Sequence, residues 1–434
     1  MTRKLIRVFE YDEIKAGNSY DGVKFEQSHL EAIELFNDRN QHKFFKLTHN
    51  GVKFREYVGV LQIGNIIIEI LPKTDKNTNL KSDSNKKEKW SGFLLEMLKQ
   101  AGYFRIDSLT NSNLNYRNSN LFDIYIEYFL NEVESLLYKG LTKTYHNIEE
   151  NKPVLKGRLV FNKHITKNII NKERFFTNHQ VYDYENILNQ ILLEAISILK
   201  STNIRPSFSD KINKILLLFP EIKQCRITYK TFETIKYNRK TERYRAAISL
   251  AQLIILNYCP DIKVGRNNVL ALLFNMYDLW QEFIYKMLLK DQEKENYTVK
   301  YEYQNSMKYW SSTQMRDKSI RPDFIIEKEK QTYVLDTKWK IINDKGPSDS
   351  DLHQMFVYNH HVSANRSMLL YPDIGNHVVI IKGSYNLPIY NEDGNIKTEH
   401  HCQLGFVKPF IEDEDGQIRP NTSVSKEIMD MLTT

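Results

Sequence analysis

The stretch RPDFIIEKEKQTYVLDTKWK, residues 321–340, decides how the chain is read. Two apolar runs, Phe324-Ile325-Ile326 and Tyr333-Val334-Leu335, flank a charged turn at 327–331, so the segment predicts a β-hairpin. Asp323 stands at the start of the first strand. Asp336 and Lys338 stand two residues apart on the second, and the period of a strand sends both to one face. Two carboxylates and an ammonium gathered at strand ends form a candidate Mg²⁺ site for hydrolysing a phosphodiester.

Working outward, a turn-rich loop at 343–350 centred on Gly346-Pro347 leads to a helix over 351–361, with Ser350 as its expected N-cap. Gln354 and Tyr358 on that helix are four apart and share a face. Strands are expected at 367–371 and 377–381. Before the hairpin, VLALLFNMYDLWQEFIYKMLLK (269–290) reads as one amphipathic helix. The expected order from 269 is therefore helix, strand, strand, helix, strand. In the chemistry this supports, Asp323 and Asp336 hold the metal, with the carbonyl of Thr337 as a further donor. Asp278 or Glu282, also four apart, is a candidate additional ligand. Lys338 orients or deprotonates the water, or neutralises the phosphate; Gln354 holds a water or the scissile strand; Tyr358 donates to a phosphate.

Toward the N-terminus, strands are expected at 5–11, 57–63 and 66–71 and a helix at 29–37. Gly64-Asn65 joins the last two strands as a hairpin. Residues 73–89 carry six lysines and three acids with almost nothing apolar, and read as a solvated loop. Helices follow over 90–101, 121–137 (stopped by Gly140), 188–199, 211–219 and 246–258. Lys156-Gly157-Arg158-Leu159 between them is a turn into a strand. Residues 223–245 hold eight basic residues against two acids, with four aromatics interleaved; an exposed connector and a nucleic-acid contact both fit. Arg239, Lys240 and Arg243 there, and Lys340 beside the hairpin, are the candidate phosphate contacts. A boundary near 260 separates an N-terminal α/β and helical region, 1–260, from a catalytic domain, 261–434.

Bulk properties narrow the class. The 434 residues suffice for two or three domains, and 41% hydrophobic content excludes a disordered chain. A net charge of +7 suits a polyanionic partner. Cys225, Cys259 and Cys402 form no CxxC, which argues against a disulfide framework, a structural zinc site or an iron–sulfur cluster. The histidine pairs 360–361 and 400–401 have no further ligands at zinc spacing. The first residues carry charges where a signal peptide needs an apolar run, and no stretch approaches the roughly 20 apolar residues of a membrane span. A cytoplasmic protein without membrane contact is expected. No G-x-x-x-x-G-K-[ST] occurs, so nucleotide hydrolysis is not expected of this chain.

Pro322-Asp323 followed by Asp336-Thr337-Lys338 resembles the PD-(D/E)xK nuclease signature, and Gln354 to Tyr358 resembles the QxxxY element of its RecB-like branch. Over residues 1–385 the chain resembles the McrC family, the nuclease subunits of modification-dependent McrBC restriction systems. YVGVLQIGN (57–65), IEILPK (68–73), KGRL (156–159), NMYDLW (275–280) and LLYP (369–372) carry the likeness. The resemblance implies an α+β multidomain chain: a mixed α/β partner-binding region followed by a restriction-endonuclease-like α/β nuclease domain. It implies Mg²⁺ as cofactor (Mn²⁺ could substitute), double-stranded modified DNA as substrate, and a McrB-like hexameric AAA+ GTPase as partner. The N-terminal region would stimulate that partner, and the partner would recognise the modified base. Two departures stand out: Gln281 occupies a position where the family tends to carry an acid, and the tail after about 385 has no recognised counterpart. A regulatory adaptor of a ring NTPase and a stand-alone RecB-like repair nuclease remain open alternatives.

Overall fold

A computed structural model describes residues 4–72, 84–103, 120–202, 204–260, 268–301, 306–311, 315–340, 342, 346–373, 379–386, 389–390, 396–398, 400–412 and 418–433. The architecture is mixed α/β with several sheets. The chain divides into two compact units, one formed by Met1–Leu114 with Leu273–Thr434, the other by Asn115–Leu272. These units do not follow a single boundary near 260. Within the first, the N-terminal segment and the hairpin segment share one core, which local sequence patterns do not reveal. The indole N–H of Trp339 donates to Glu10 Oε1 at 2.8 Å, and both side chains are buried. Phe93 packs its ring against Trp339 and Phe410. Helix Ser84–Gln100 packs on helix Met276–Asp291.

The sheet that carries the hairpin has six strands, in the order Thr298–Tyr301, Phe324–Lys328, Gln331–Thr337, Arg366–Pro372, His401–Val407 and Ile380–Ile381. The hairpin strands are antiparallel, with Phe324 opposite Leu335. Gln331–Thr337 then pairs in parallel with Arg366–Pro372, so the connection needs a crossover, and helix Asp349–Val362 supplies it. A strand buried on both faces reads as a continuous apolar run, as Met368-Leu369-Leu370-Tyr371 does here. Met355 and Tyr358 of the helix pack with Val334, Leu369, Tyr371 and Leu404 of the sheet. At the other end of the first unit, Lys4–Phe9 runs parallel to Ile66–Leu71, which turns back on Tyr57–Ile63. Gly64 at that turn has φ +55°, a conformation that costs glycine nothing.

The second unit packs Ile187–Ser201 on Arg245–Leu256, and Leu121–Tyr138 on Pro206–Leu218 and Arg245–Leu256. An antiparallel ribbon, Thr144–Lys152 with Phe175–Asp183, belongs to the same unit. Leu121–Tyr138 ends as expected: Gly140 takes φ +80° and donates its N–H to the Leu137 carbonyl.

Several expectations change. The stretch expected as one helix, 269–290, is a strand, Val269–Asn275, followed by helix Met276–Asp291. Val269-Leu270-Ala271-Leu272-Leu273-Phe274 is buried throughout and has no polar face, so it forms a core strand. Asn275 starts the helix by accepting from the N–H groups of Tyr277 and Asp278. The order from 269 therefore gains this strand and, ahead of the hairpin, the strands Thr298–Tyr301, Met307–Trp310 and Lys318–Ile320. The cap of the crossover helix is Ser348, whose hydroxyl accepts from Asp351 N, and not Ser350. The lysine-rich loop ends earlier than expected, because Ser84–Gln100 is helical. Lys87 donates to the Arg7 carbonyl and to Asp21, both at 2.8 Å. Residues 73–83, and likewise 343–345, 377 and 413–415, lie outside the described residues. The tail after 385 also belongs to the fold: His401–Val407 lies beside Arg366–Pro372, and helix Val424–Thr433 packs on both. Among the described residues no helix is long and apolar enough to cross a membrane.

Candidate active site

Asp323 precedes the first hairpin strand by one residue and Asp336 sits near the end of the second. The register that sets Phe324 opposite Leu335 therefore brings the two carboxylates to the same end of the ladder. Thr337 donates both its N–H and its hydroxyl to Asp323 Oδ2, at 2.7 Å each. Lys338 lies just beyond the strand, its backbone N–H held by the Leu370 carbonyl at 2.9 Å. Its ammonium is 2.6 Å from Asp336 Oδ2 and 3.4 Å from Gln354 Oε1.

The crossover helix supplies the other wall. Gln354 donates to the Tyr358 hydroxyl at 2.5 Å, and that hydroxyl donates to the Arg321 carbonyl at 3.0 Å. Tyr358 is 3% exposed and its proton is already committed. It ties the helix to the residues just before the hairpin.

Burial pushes the Asp323 carboxyl up to about 8; the charge of Asp336 adds to this, and the two Thr337 bonds oppose it. Burial also pushes Asp336 up, against the pull of the Lys338 ammonium. Burial would lower Lys338, but Asp336, Asp351 and Asp323 outweigh it and hold the ammonium charged. The Tyr358 hydroxyl is raised to about 12, mainly by burial and then by Asp336.

Asp351 completes this cluster, and sequence reading missed it. It is 8% exposed, with one oxygen 3.7 Å from Lys338 and the other in an ion pair with Lys340. The signal was present: Asp351, Gln354 and Tyr358 stand at i, i+3 and i+7, one stripe of a helix. Lys340, the candidate phosphate contact beside the hairpin, is paired with Asp351 in this structure. Among the described residues no three histidine, cysteine or acidic side chains converge as ligands of one metal ion; Asp278 and Glu282, the candidate further ligands, lie on helix Met276–Asp291. Glu282 pairs with Lys286 at 3.2 Å. Both acids act on Tyr103, whose hydroxyl is pushed up to about 12 by burial first, then by Glu282 and Asp278. Tyr285 stacks on Tyr301 and faces Phe324, which puts Gln281, one turn earlier, on the hairpin side of that helix.

The remaining basic candidates lie in the second unit. Arg243 donates to the Gly140 carbonyl at 2.6 Å and to the Lys139 carbonyl at 3.3 Å, satisfying the end of helix Leu121–Tyr138. Arg239 and Lys240 are exposed. Arg245 is paired with Glu242 and lies over the Tyr237 ring.

Comparison with known proteins gives a consistent answer. The chain is 24% identical over 259 residues, 55% of its length and 70% of the relative's, to the Type IV methyl-directed restriction enzyme EcoKMcrBC of Escherichia coli (strain K12). Its fold is similar, with a TM-score of 0.65 and 17% identity over 99% of both chains, to a chain of the refined half-complex from the tetradecameric assembly of Thermococcus gammatolerans McrB AAA+ hexamers with bound McrC. A family model described as the McrBC 5-methylcytosine restriction system component matches residues 52–372, roughly three-quarters of the chain. The chain therefore belongs to the family of McrBC 5-methylcytosine restriction system components.

Proposed function

We propose that the chain is the DNA-cutting subunit of a modification-dependent restriction system. In this reading it hydrolyses phosphodiesters at the Asp323–Asp336–Lys338 cluster in a PD-(D/E)xK-type domain. The observation that carries the reading is the convergence of two buried carboxylates, an ammonium and a glutamine amide from two strand ends and one helix. Asp323 and Asp336 offer hard carboxylate oxygens, and Mg²⁺ is held by one or two carboxylates with the rest of its shell left to water and substrate. Two raised carboxyls in one buried place also fit a cation, since its charge would offset the cost of ionising them. When bound, Mg²⁺ supplies a polarised water and a counter-charge for the phosphate. Thr337 fixes the rotation of the Asp323 carboxyl through two bonds to one oxygen. Lys338 presents a positive charge where negative charge grows on the phosphate. Gln354, held by Tyr358, keeps its carbonyl oxygen toward Lys338.

The partner in this reading is a McrB-like hexameric AAA+ GTPase that recognises the modified cytosine. Its support here is an apolar stripe in the second unit. Phe161, Ile165 and Ile169, at i, i+4 and i+8 on and just past helix Phe161–Asn168, are 67%, 57% and 68% exposed. Three exposed apolar side chains along one face suit an interaction surface.

The deciding assay is cleavage of methylated duplex DNA with the ring partner, nucleotide and Mg²⁺. Asp336→Ala and Lys338→Ala should each lower the rate by about 100-fold or more, the usual scale for removing an electrostatic stabiliser of a transition state. Retained cutting by both variants would remove the site assignment. Mg²⁺-dependent cutting by the chain alone would favour the stand-alone nuclease.

A further inference from the structure

Asp351 has no part in the chemistry just described, yet its carboxylate is shared between two lysines. Oδ2 is paired with Lys340, and Oδ1 is left 3.7 Å from the Lys338 ammonium. The group is well anchored. Its backbone N–H bonds to Ser348 Oγ in the first turn of helix Asp349–Val362, where the helix end favours a negative charge. Lys338 meanwhile lies 2.6 Å from Asp336 Oδ2, on a carboxylate that the Mg²⁺ reading gives to the metal. An ammonium and a divalent ion on one buried carboxylate would repel each other strongly. Lys338 must therefore have somewhere else to go. Gln354 Oε1 at 3.4 Å and Asp351 Oδ1 at 3.7 Å also lie beside it. A shift of about 1 Å would bring the second to ordinary ion-pair distance.

We propose that Asp351, with Gln354, forms a second seat for the Lys338 ammonium, drawing it off Asp336 when a divalent cation occupies the carboxylates. Asp351 is thus a positioning residue: it touches neither metal nor DNA and acts through Lys338. Lys340 holds the far oxygen and keeps the near one aimed at the site. The inference rests on the cleavage reading for the place of the cation, so its test uses Mg²⁺ alone, without DNA or partner.

Calorimetric titration of the full chain with Mg²⁺ is run on wild type, Asp351→Asn, Lys338→Ala and the double variant. Without the seat, Lys338 competes for Asp336, and Asp351→Asn should weaken Mg²⁺ binding about tenfold. Lys338→Ala removes the competitor and should tighten it. The double variant should bind within about twofold of Lys338→Ala, because the seat then has no occupant. Asp351→Glu should return the affinity toward wild type. If Asp351→Asn weakens binding by the same factor with and without Lys338, or not at all, the proposal is overturned, because Asp351 then acts as a plain charge or a ligand. Should Asp351→Asn lose cooperative unfolding, the same cycle with Gln354→Met decides: a loss that vanishes without Lys338 supports the seat, and an equal loss overturns it. Mg²⁺ binding with the expected coupling but no DNA cleavage would defeat the nuclease reading and leave the seat standing.

Discussion

Asp323 is a carboxyl whose neighbours oppose one another over its charge. Thr337 donates twice to Oδ2 and favours the carboxylate, while burial and the charge of Asp336 favour the acid and raise it from 3.8 to about 8. The sign of the pH effect follows. Between the two values the native state keeps a proton that the unfolded chain has released, so stability from this group is complete below the unfolded value and is lost as pH rises through the folded one. In metal-free protein the melting temperature should therefore fall between pH about 4 and about 8 more steeply for wild type than for Asp323→Asn, which carries no charge to bury. Parallel melting curves across that range would show that Asp323 ionises freely. The sequence marked Asp323, Asp336, Lys338 and Gln354 because their spacing matches a strand or a helix turn. It did not mark Asp351, whose importance comes from two lysines thirteen and eleven residues before it, brought near only when the crossover helix packs on the sheet.

At the scale of elements, the hairpin turn is the clearest case of local chemistry overruled by its flanks. Glu329 and Lys330 join Lys328 to Gln331 with φ of 51° and 65°. A two-residue turn with both φ positive is the type I′ geometry that favours Asn-Gly, and an ordinary side chain there costs about 1–2 kcal/mol. The pair survives because Phe324-Ile325-Ile326 and Tyr333-Val334-Leu335 are buried on both sides of it. Replacing Glu329-Lys330 with Asn-Gly should raise stability by about 1 kcal/mol, read as a higher urea midpoint at unchanged slope. A lower midpoint would mean that these side chains hold the turn. The same balance explains the misread segment 269–290. Apolar residues at every position of 269–274 fit a helix as well as a buried strand, and only a cap separates that run from the helix after it. Asn275 is that cap, and its side chain looks ordinary until it is seen accepting two backbone N–H bonds.

For the whole molecule, the division at 114/115 and 272/273 has a direct consequence. A fragment of residues 273–434 would lose Glu10 from Trp339, Phe93 from the Trp339 and Phe410 rings, and helix Ser84–Gln100 from helix Met276–Asp291. Opening such a buried aromatic and hydrogen-bonded face costs several kcal/mol, comparable to the stability of a whole domain. The fragment should show no cooperative thermal transition and poor dispersion in a proton NMR spectrum, although it contains every proposed catalytic residue. A sharp transition would restore the single boundary near 260.

The sequence by itself determined the local grammar: the hairpins at 57–71 and 324–337, the helix carrying Gln354 and Tyr358, and the pairing of Asp336 with Lys338. Each depends on residues within a few positions of one another, where periodicity and turn chemistry are decisive. The tertiary structure alone decided which distant segments share a core. It put Glu10 against Trp339, turned Lys340 from solvent to Asp351, committed the Tyr358 proton to Arg321, and placed His401–Val407 beside Arg366–Pro372. Those pairings join residues from 11 to 329 positions apart, and they form because buried apolar area and buried polar groups must be satisfied together in one packed interior.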